Sequence, residues 1–360
     1  MGSTIYDPNF LQTDQAAEDT VDWYEVSFDT FDIYGLVRDG DGILARRMPH
    51  KIAEAVSRGV RGQNGYCAGG RIRFSTDSEF VALKVEYAKG AVPTVCNHCI
   101  TYGFDLYRLD QDSKTEVFVA AFRPANGFDC LSAEFKVNTR NHGAHTYYTI
   151  NMPHFAEVRT LSLGIAKGRR MERGARYQND APVIYYGSSI THGAAAGRPG
   201  NTYENFISQK YNLHYRNLGY AGNAKGESAV AEYIADCDMI AFVCDYDHNA
   251  PTVEHLADTH YPFYETIRKK HPEIPYVMIS RPDFFRDPIN HAKRRDVILD
   301  SYNRAIASGD QNVYFIDGET LFQGDCAESC TSDGCHPNDL GFYRMADQIG
   351  SVLAKVLGIG

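Results

Sequence analysis

The sequence predicts two unlike halves: an antiparallel β-sandwich over about residues 1–175, then a doubly wound parallel α/β sheet over about 176–360. Three observations predict this. Apolar and polar residues alternate with period two at several places before residue 170. After residue 180, short apolar runs alternate with segments of helical character. The last of those segments carries one apolar stripe at three- and four-residue spacing. A length of 360 residues suits two domains of ordinary size.

In the first half, Val81, Leu83, Val85 and Tyr87 alternate with Ala82, Lys84 and Glu86. Leu161, Leu163 and Ile165 alternate with Ser162 and Gly164 in the same way, the pattern of half-buried strands. RIRFST (71–76), FDLYRL (104–109), TEVFVAAF (115–122) and HTYYTI (145–150) are β-branched and aromatic, with polar or glycine-rich stretches between them. No long helical period interrupts them, so short antiparallel strands in a sandwich are expected. The rhythm changes after the basic stretch 167–182. VIYYG (183–187), DMIAFVC (238–244), IPYVMIS (274–280) and NVYFID (312–317) read as buried strands, and helices are expected near 202–211, 226–235, 253–271 and 290–308. Phe342, Met345, Ile349, Val352, Leu353 and Val356 mark the final helix.

Composition excludes several classes. Hydrophobic residues at 43% and charged residues at 23% describe a folded chain. A net charge of −10 disfavours nucleic acid and anionic membranes as partners. No apolar run approaches the ~18 residues of a membrane span. The first twenty residues are polar and acidic, without the pattern of a signal peptide, so a cytoplasmic location is expected. Nine cysteines, an odd number in a long chain, fit reduced thiols better than a disulfide framework.

Ligands of open α/β sheets sit beyond the carboxyl ends of the strands. The first such strand ends in Gly187-Ser188-Ser189-Ile190-Thr191-His192-Gly193, which exposes a serine at a turn. Alone, this is an ordinary Gly/Ser turn. Asp333-Gly334-Cys335-His336-Pro337 precedes the final helix. Imidazole can take a serine's proton near neutrality, and a carboxylate three residues earlier can fix its tautomer. Pro337 suits the first turn of that helix. Attack on a carbonyl also needs donors for the oxyanion. Asn217–Asn223, after the second strand, offers glycine N–H groups, and Asp245–Pro251, after the third, offers an asparagine amide.

In this order, Ser189, Gly222, Asn249, and Asp333 with His336, the sequence resembles the SGNH/GDSL hydrolases. The resemblance implies a nucleophile at Ser189, a base at His336 and an orienter at Asp333. It implies an oxyanion hole from the Ser189 and Gly222 N–H groups and the Asn249 side chain, with no cofactor and no metal. It departs from the family at Ser188, where most members carry Asp, and at His248-Asn249-Ala250, where many have Gly-x-Asn-Asp. Gly103-Phe104-Asp105-Leu106-Tyr107 resembles the Gly-x-Asp-Leu-Tyr signature of a β-sandwich that precedes such domains in one subgroup. The implied architecture is a flavodoxin-like SGNH fold behind an all-β, jelly-roll-like domain. The implied activity is hydrolysis of acyl esters, above all O-acetyl groups on carbohydrates. An acyltransferase of the same fold and a non-catalytic carbohydrate-binding protein are the alternatives. The expected partner is a small-molecule or oligosaccharide ester, and a homo-oligomer stays open.

Other residues divide between function and packing. Arg198, His98 and Arg281 are the candidate substrate contacts: Arg198 beside the serine loop, His98 on a loop the sandwich lends to the site, Arg281 after the fourth strand. Their alternatives are a solvated arginine, a satisfied loop histidine and a structural ion pair. Cys96, His98 and Cys99 have metal-ligand types, but neither Cys130 nor Cys67 supplies a second Cys-x-x-Cys, so packed thiols are expected. Cys326, Cys330 and Cys335 cluster near His336, where a disulfide would rigidify the loop.

Overall fold

The computed structural model describes residues 18–40, 42–112, 115–123, 132–139 and 143–359. The first half contains β1 (Val21–Glu25), β2 (Asp32–Tyr34), α1 (His50–Val56), α2 (Arg58–Gln63), β3 (Arg71–Thr76), β4 (Phe80–Gly90), α3 (His98–Thr101), β5 (Phe104–Leu109), β6 (Glu116–Phe122), β7 (Ser132–Asn138), β8 (Thr146–Asn151), β9 (Ala156–Ala166) and β10 (Met171–Arg173). One antiparallel sheet has the order β1-β9-β4-β7. The other runs β10-β3-β8-β5-β6, with β2 also paired to β3. Val81, Leu83, Val85 and Tyr87 of β4 and Leu161 and Leu163 of β9 face Ile72, Phe74, Leu106 and Ile150 of the second sheet across one core. The period-two alternation is therefore the inner face of a sandwich.

The second half contains β11 (Val183–Gly187), α4 (Ser189–His192), α5 (Tyr203–Tyr211), β12 (Tyr215–Gly219), α6 (Ser228–Ala235), β13 (Ala241–Asp245), α7 (Val253–Lys270), β14 (Tyr276–Ile279), α8 (Pro288–Ala307), β15 (Val313–Ile316) and α9 (Asp339–Leu357). Its five strands are parallel in the order β12-β11-β13-β14-β15. Successive strand residues serve opposite faces. Ile184, Tyr186, Phe242 and Met278 pack with α6, α7 and α8, and Val183, Tyr185, Val243 and Val277 pack with α5 and α9. Both faces are covered, as the continuous apolar runs require. Every strand points its carboxyl end to one edge, and β11 sits where the winding reverses.

Two expectations change. The first half holds three short helices, and its elements do not serve its own core alone. Met48, Ala53 and Val60, around α1 and α2, belong to the α/β core against α6, and Tyr66, Ile100 and Phe155 belong to the core on the other face. Pro337 is not in the first turn of α9. Asn338 is the cap, its side chain accepting from the N–H groups of Leu340 and Gly341, and Pro337 precedes it in a bridge with Thr331.

Candidate active site

The turn after β11 separates its two serines by role. Ser188 is the cap of α4: its hydroxyl accepts from the Ile190 N–H at 3.2 Å and its own N–H donates to the Asp245 carbonyl. It is fully buried. Ser189 begins the helix, and its Oγ lies 2.9 Å from His336 Nε2. His336 Nδ1 lies 2.8 Å from Asp333 Oδ2. The other oxygen, Asp333 Oδ1, accepts from the backbone N–H groups of Cys335 and His336. Desolvation opposes the Asp333 charge, but these hydrogen bonds outweigh it and hold the carboxyl down to about 2. Asp333 is thus ionised at neutral pH. It accepts the hydrogen bond of Nδ1–H and leaves the lone pair of Nε2 toward the serine. The base loop is closed by Ser332 N–H donating to the His336 carbonyl at 2.8 Å.

Two neighbouring turns complete the edge. Asn217–Gly219 belongs to β12 rather than to the loop. Buried Asn217 donates from its amide to the Thr191 carbonyl and to Glu204, tying β12 to α4. The turn that follows is tight: the Tyr220 carbonyl accepts from Asn223 and Ala224 N–H and from Asn249 Nδ2, the last at 2.9 Å. Gly222 within it has φ +72°, which a side chain resists, and nothing lies within 4 Å of where its Cβ would be. The backbone at Gly222 therefore faces open space. Asn249 uses one amide N–H on Tyr220 and keeps a second donor.

His192 anchors this corner. It is fully buried and stacked at 4.2 Å on Phe155. Its Nε2 donates to the His154 carbonyl, its Nδ1 accepts from the Ala221 N–H, and His154 Nδ1 donates to the His192 carbonyl at 2.7 Å. Burial holds both rings neutral, His154 near 4. A pair of histidines thus locks the sandwich, the serine helix and the Gly222 turn together.

The three candidate substrate contacts are engaged with the protein. Arg281 makes a bidentate pair with buried Asp283, at 2.7 and 2.9 Å. Arg198 lies 4.0 Å above Phe118, 3.2 Å from the Tyr107 hydroxyl and 3.4 Å from Asp105. The His98 ring sits edge-on to Tyr102, on a helix whose cap, Asn97, donates to the Ala196 and Gly197 carbonyls beyond the serine helix. The Gly-x-Asp-Leu-Tyr signature gains a physical meaning here. Asp105 is buried and accepts from Gly200 N–H at 2.7 Å and Asn151 Nδ2 at 2.8 Å, so it fastens the sandwich to the loop after α4.

Among the described residues, the cysteines are free thiols, Cys326, Cys330 and Cys335 included. Burial pushes Cys67 up to about 12 and Cys96 to about 11. Cys130 lies outside the described residues. The metal-type cluster among the described residues is His248, Asp283 and Cys335. Arg281 already fills both oxygens of Asp283 and brings a positive charge, which opposes a cation there. No described helix is long and apolar enough to cross a membrane. Sequence reasoning passed over Asp283, Asp247 and Arg294, which hold the Asn249 turn; Asp283, two residues from Arg281, was the one visible signal.

Comparison with known proteins agrees with this architecture. Residues 180–354 match the GDSL-like Lipase/Acylhydrolase family, and residues 21–171 match GxDLY, the N-terminus of Esterase_SGNH_hydro-type. No curated protein matches the chain. A crystal structure from Bacteroides ovatus ATCC 8483, described as a GDSL-like lipase, is 25% identical with a TM-score of 0.84, covering 94% of this chain and 99% of the other. The salicylyl-acyltransferase SsfX3 of a tetracycline biosynthetic pathway shares the fold at 20% identity and a TM-score of 0.76, covering 96% and 99%. An acetyl xylan esterase, Est2A, of the rumen bacterium Butyrivibrio proteoclasticus shares it at 13% identity and 0.57, covering 94% and 99%. With both halves matched and the serine turn and Asp-x-x-His loop meeting at one sheet edge, the chain belongs to the two-domain SGNH/GDSL hydrolases with a GxDLY N-terminal domain.

Proposed function

We propose that this chain is a serine esterase that hydrolyses O-acetyl esters of carbohydrates through an acyl-enzyme on Ser189. The observation that carries the reading is the continuous hydrogen-bond chain from Ser189 Oγ through His336 to Asp333, at 2.9 and 2.8 Å. His336 Nε2 takes the hydroxyl proton as Oγ attacks the acyl carbonyl. The Ser189 and Gly222 N–H groups and the free donor of Asn249 stabilise the oxyanion. Collapse expels the alcohol, which His336 protonates. Water, deprotonated in turn by His336, then releases acetate and restores the serine. No step calls for a metal or an organic cofactor.

The carbohydrate part of the reading draws on the family resemblance and on the fold shared with the acetyl xylan esterase. The absence of long apolar stretches suited to lipid points the same way. The test is acetate release from acetylated xylan, acetylated mannan and simple acetyl sugars, with deacetylated positions read by NMR. Release is expected from at least one of them, and Ser189→Ala should lower it on the order of 10⁴-fold or more. Unchanged release by that variant overturns the nucleophile. Acetyl groups moving to an added alcohol instead of water would make the chain an acyltransferase. Neither turnover nor reaction with a fluorophosphonate would leave a binding protein.

A further inference from the structure

The third loop of the site is held by far more charge than a turn requires. Asn249 ends a 3-10 turn, Asp247–Asn249, and several groups on and beside it are engaged from the segment after β14 and from α8. Arg294, 95% buried, donates to the Asp247 carbonyl at 3.0 Å, to Asp247 Oδ1 at 3.2 Å and to the Ala250 carbonyl. Asp247 Oδ2 accepts from the Arg281 N–H at 3.1 Å. His248 Nε2 donates to Asp283 Oδ1 at 3.0 Å, and the same carboxylate takes both arms of Arg281. The Asp283 side chain is fully buried and that of His248 is 6% exposed. Cys335, next to the base, has its sulfur within 4.8 Å of the ligand atoms of both. The cluster thus sits between the loop that carries Asn249 and the loop that carries His336.

We propose that Asp283 is a positioning residue for the oxyanion donor Asn249, acting through His248. This rests on the esterase reading of Asn249. An asparagine amide stabilises an oxyanion only if it is already aimed before charge develops, because turning it during the reaction would cost the reorganisation that preorganisation avoids. Asn249 is aimed through its own side chain and through its neighbours. Its amide is pinned to the Tyr220 carbonyl. The preceding His248 is tied to the Asp283 carboxylate, and Arg294 holds the Asp247 and Ala250 carbonyls on either side. An aspartate does what a neutral acceptor cannot. Burial disfavours its charge, but the hydrogen bonds of His248 and Arg281 hold it ionised well below the usual carboxylate range.

The test is a double-mutant cycle read by kcat and KM on a soluble acetyl ester, with thermal melting to confirm folding. Asn249→Ala is expected to lower kcat on the order of 10²-fold with KM little changed. His248→Ala should lower kcat roughly 10- to 100-fold, also with KM little changed. His248→Gln, which keeps a donor near the Nε2 position, should restore most of it. His248→Ala combined with Asn249→Ala should be no slower than Asn249→Ala alone, because the anchor then has nothing left to aim. Asp283→Asn should follow His248→Ala in both backgrounds. Fully additive losses, or an effect on KM alone, would overturn the positioning role while leaving Asn249 as the donor. An Asn249→Ala enzyme as fast as the wild type would instead remove the donor assignment on which the inference stands.

Discussion

At the scale of single residues, the two adjacent serines show how position in a turn decides chemistry. Ser188 spends its hydroxyl on the Ile190 N–H, and Ser189, one residue on, is turned toward His336. Ser188→Ala should therefore cost about 0.5–2 kcal/mol of stability through loss of the cap. Its kcat should stay within a few-fold of the wild type, checked by chemical denaturation alongside esterase assays. A loss of activity as large as that of Ser189→Ala would reverse the assignment. The roles of Ser189, Asp333 and His336 came from the resemblance to the family, since a serine after a strand and a carboxylate three residues before an imidazole are each ordinary alone; the structure brings the three side chains together. The ion pair of Arg281 was among the readings its sequence allowed, and its partner, Asp283, lies two residues away. The partners of Arg198 were not readable, because they are chosen by tertiary packing. Phe118, Tyr107 and Asp105 meet Arg198 from far away in the chain.

At the scale of elements, strands β4 and β9 were legible because one face of each is a core face and the alternation records it directly. Helices α1, α2 and α3 were not. With seven, six and four residues they are too short to display a 3.6-residue period. The strand β5 carries a prediction of its own. Its Asp105 carboxylate is buried, and burial, only partly offset by Asn151, Gly200 and Arg198, raises it from the ordinary 3.8 to about 6. An acid raised in the folded state binds its proton more tightly there than when unfolded. Its contribution to stability is thus full below about pH 4 and is lost as pH rises to about 6. Asp105→Asn should flatten that part of the stability profile, measured by denaturant unfolding from pH 4 to 7. An unchanged slope would show that Asp105 is not the titrating group.

At the scale of the whole molecule, the halves are joined through their interiors. Arg71 of β3, fully buried, donates to the Tyr177 hydroxyl at 2.8 Å and to the Tyr215 carbonyl of β12 at 2.9 Å, and lies 3.7 Å above the Tyr215 ring. Arg47 reaches the Gly219 carbonyl, and the histidine pair crosses the same seam. The chain should therefore unfold as one cooperative unit. The single tryptophan, Trp23 of β1, reports on the sandwich, and far-UV circular dichroism reports mainly on α5–α9. The two melting curves should coincide, and separate midpoints would mean that the seam is weak. This joint core was only half legible, since two rhythms in one sequence announce two folding patterns but carry no record of how their surfaces meet. The α/β half itself places one hydroxyl and one imidazole over the same sheet edge. The most direct measurement of that claim is reaction of the intact protein with a fluorophosphonate, followed by peptide mass spectrometry. A single adduct on Ser189, abolished in Ser189→Ala and strongly slowed in His336→Ala, is the predicted result. An adduct on Ser188 or elsewhere, or labelling at an unchanged rate without His336, would contradict it.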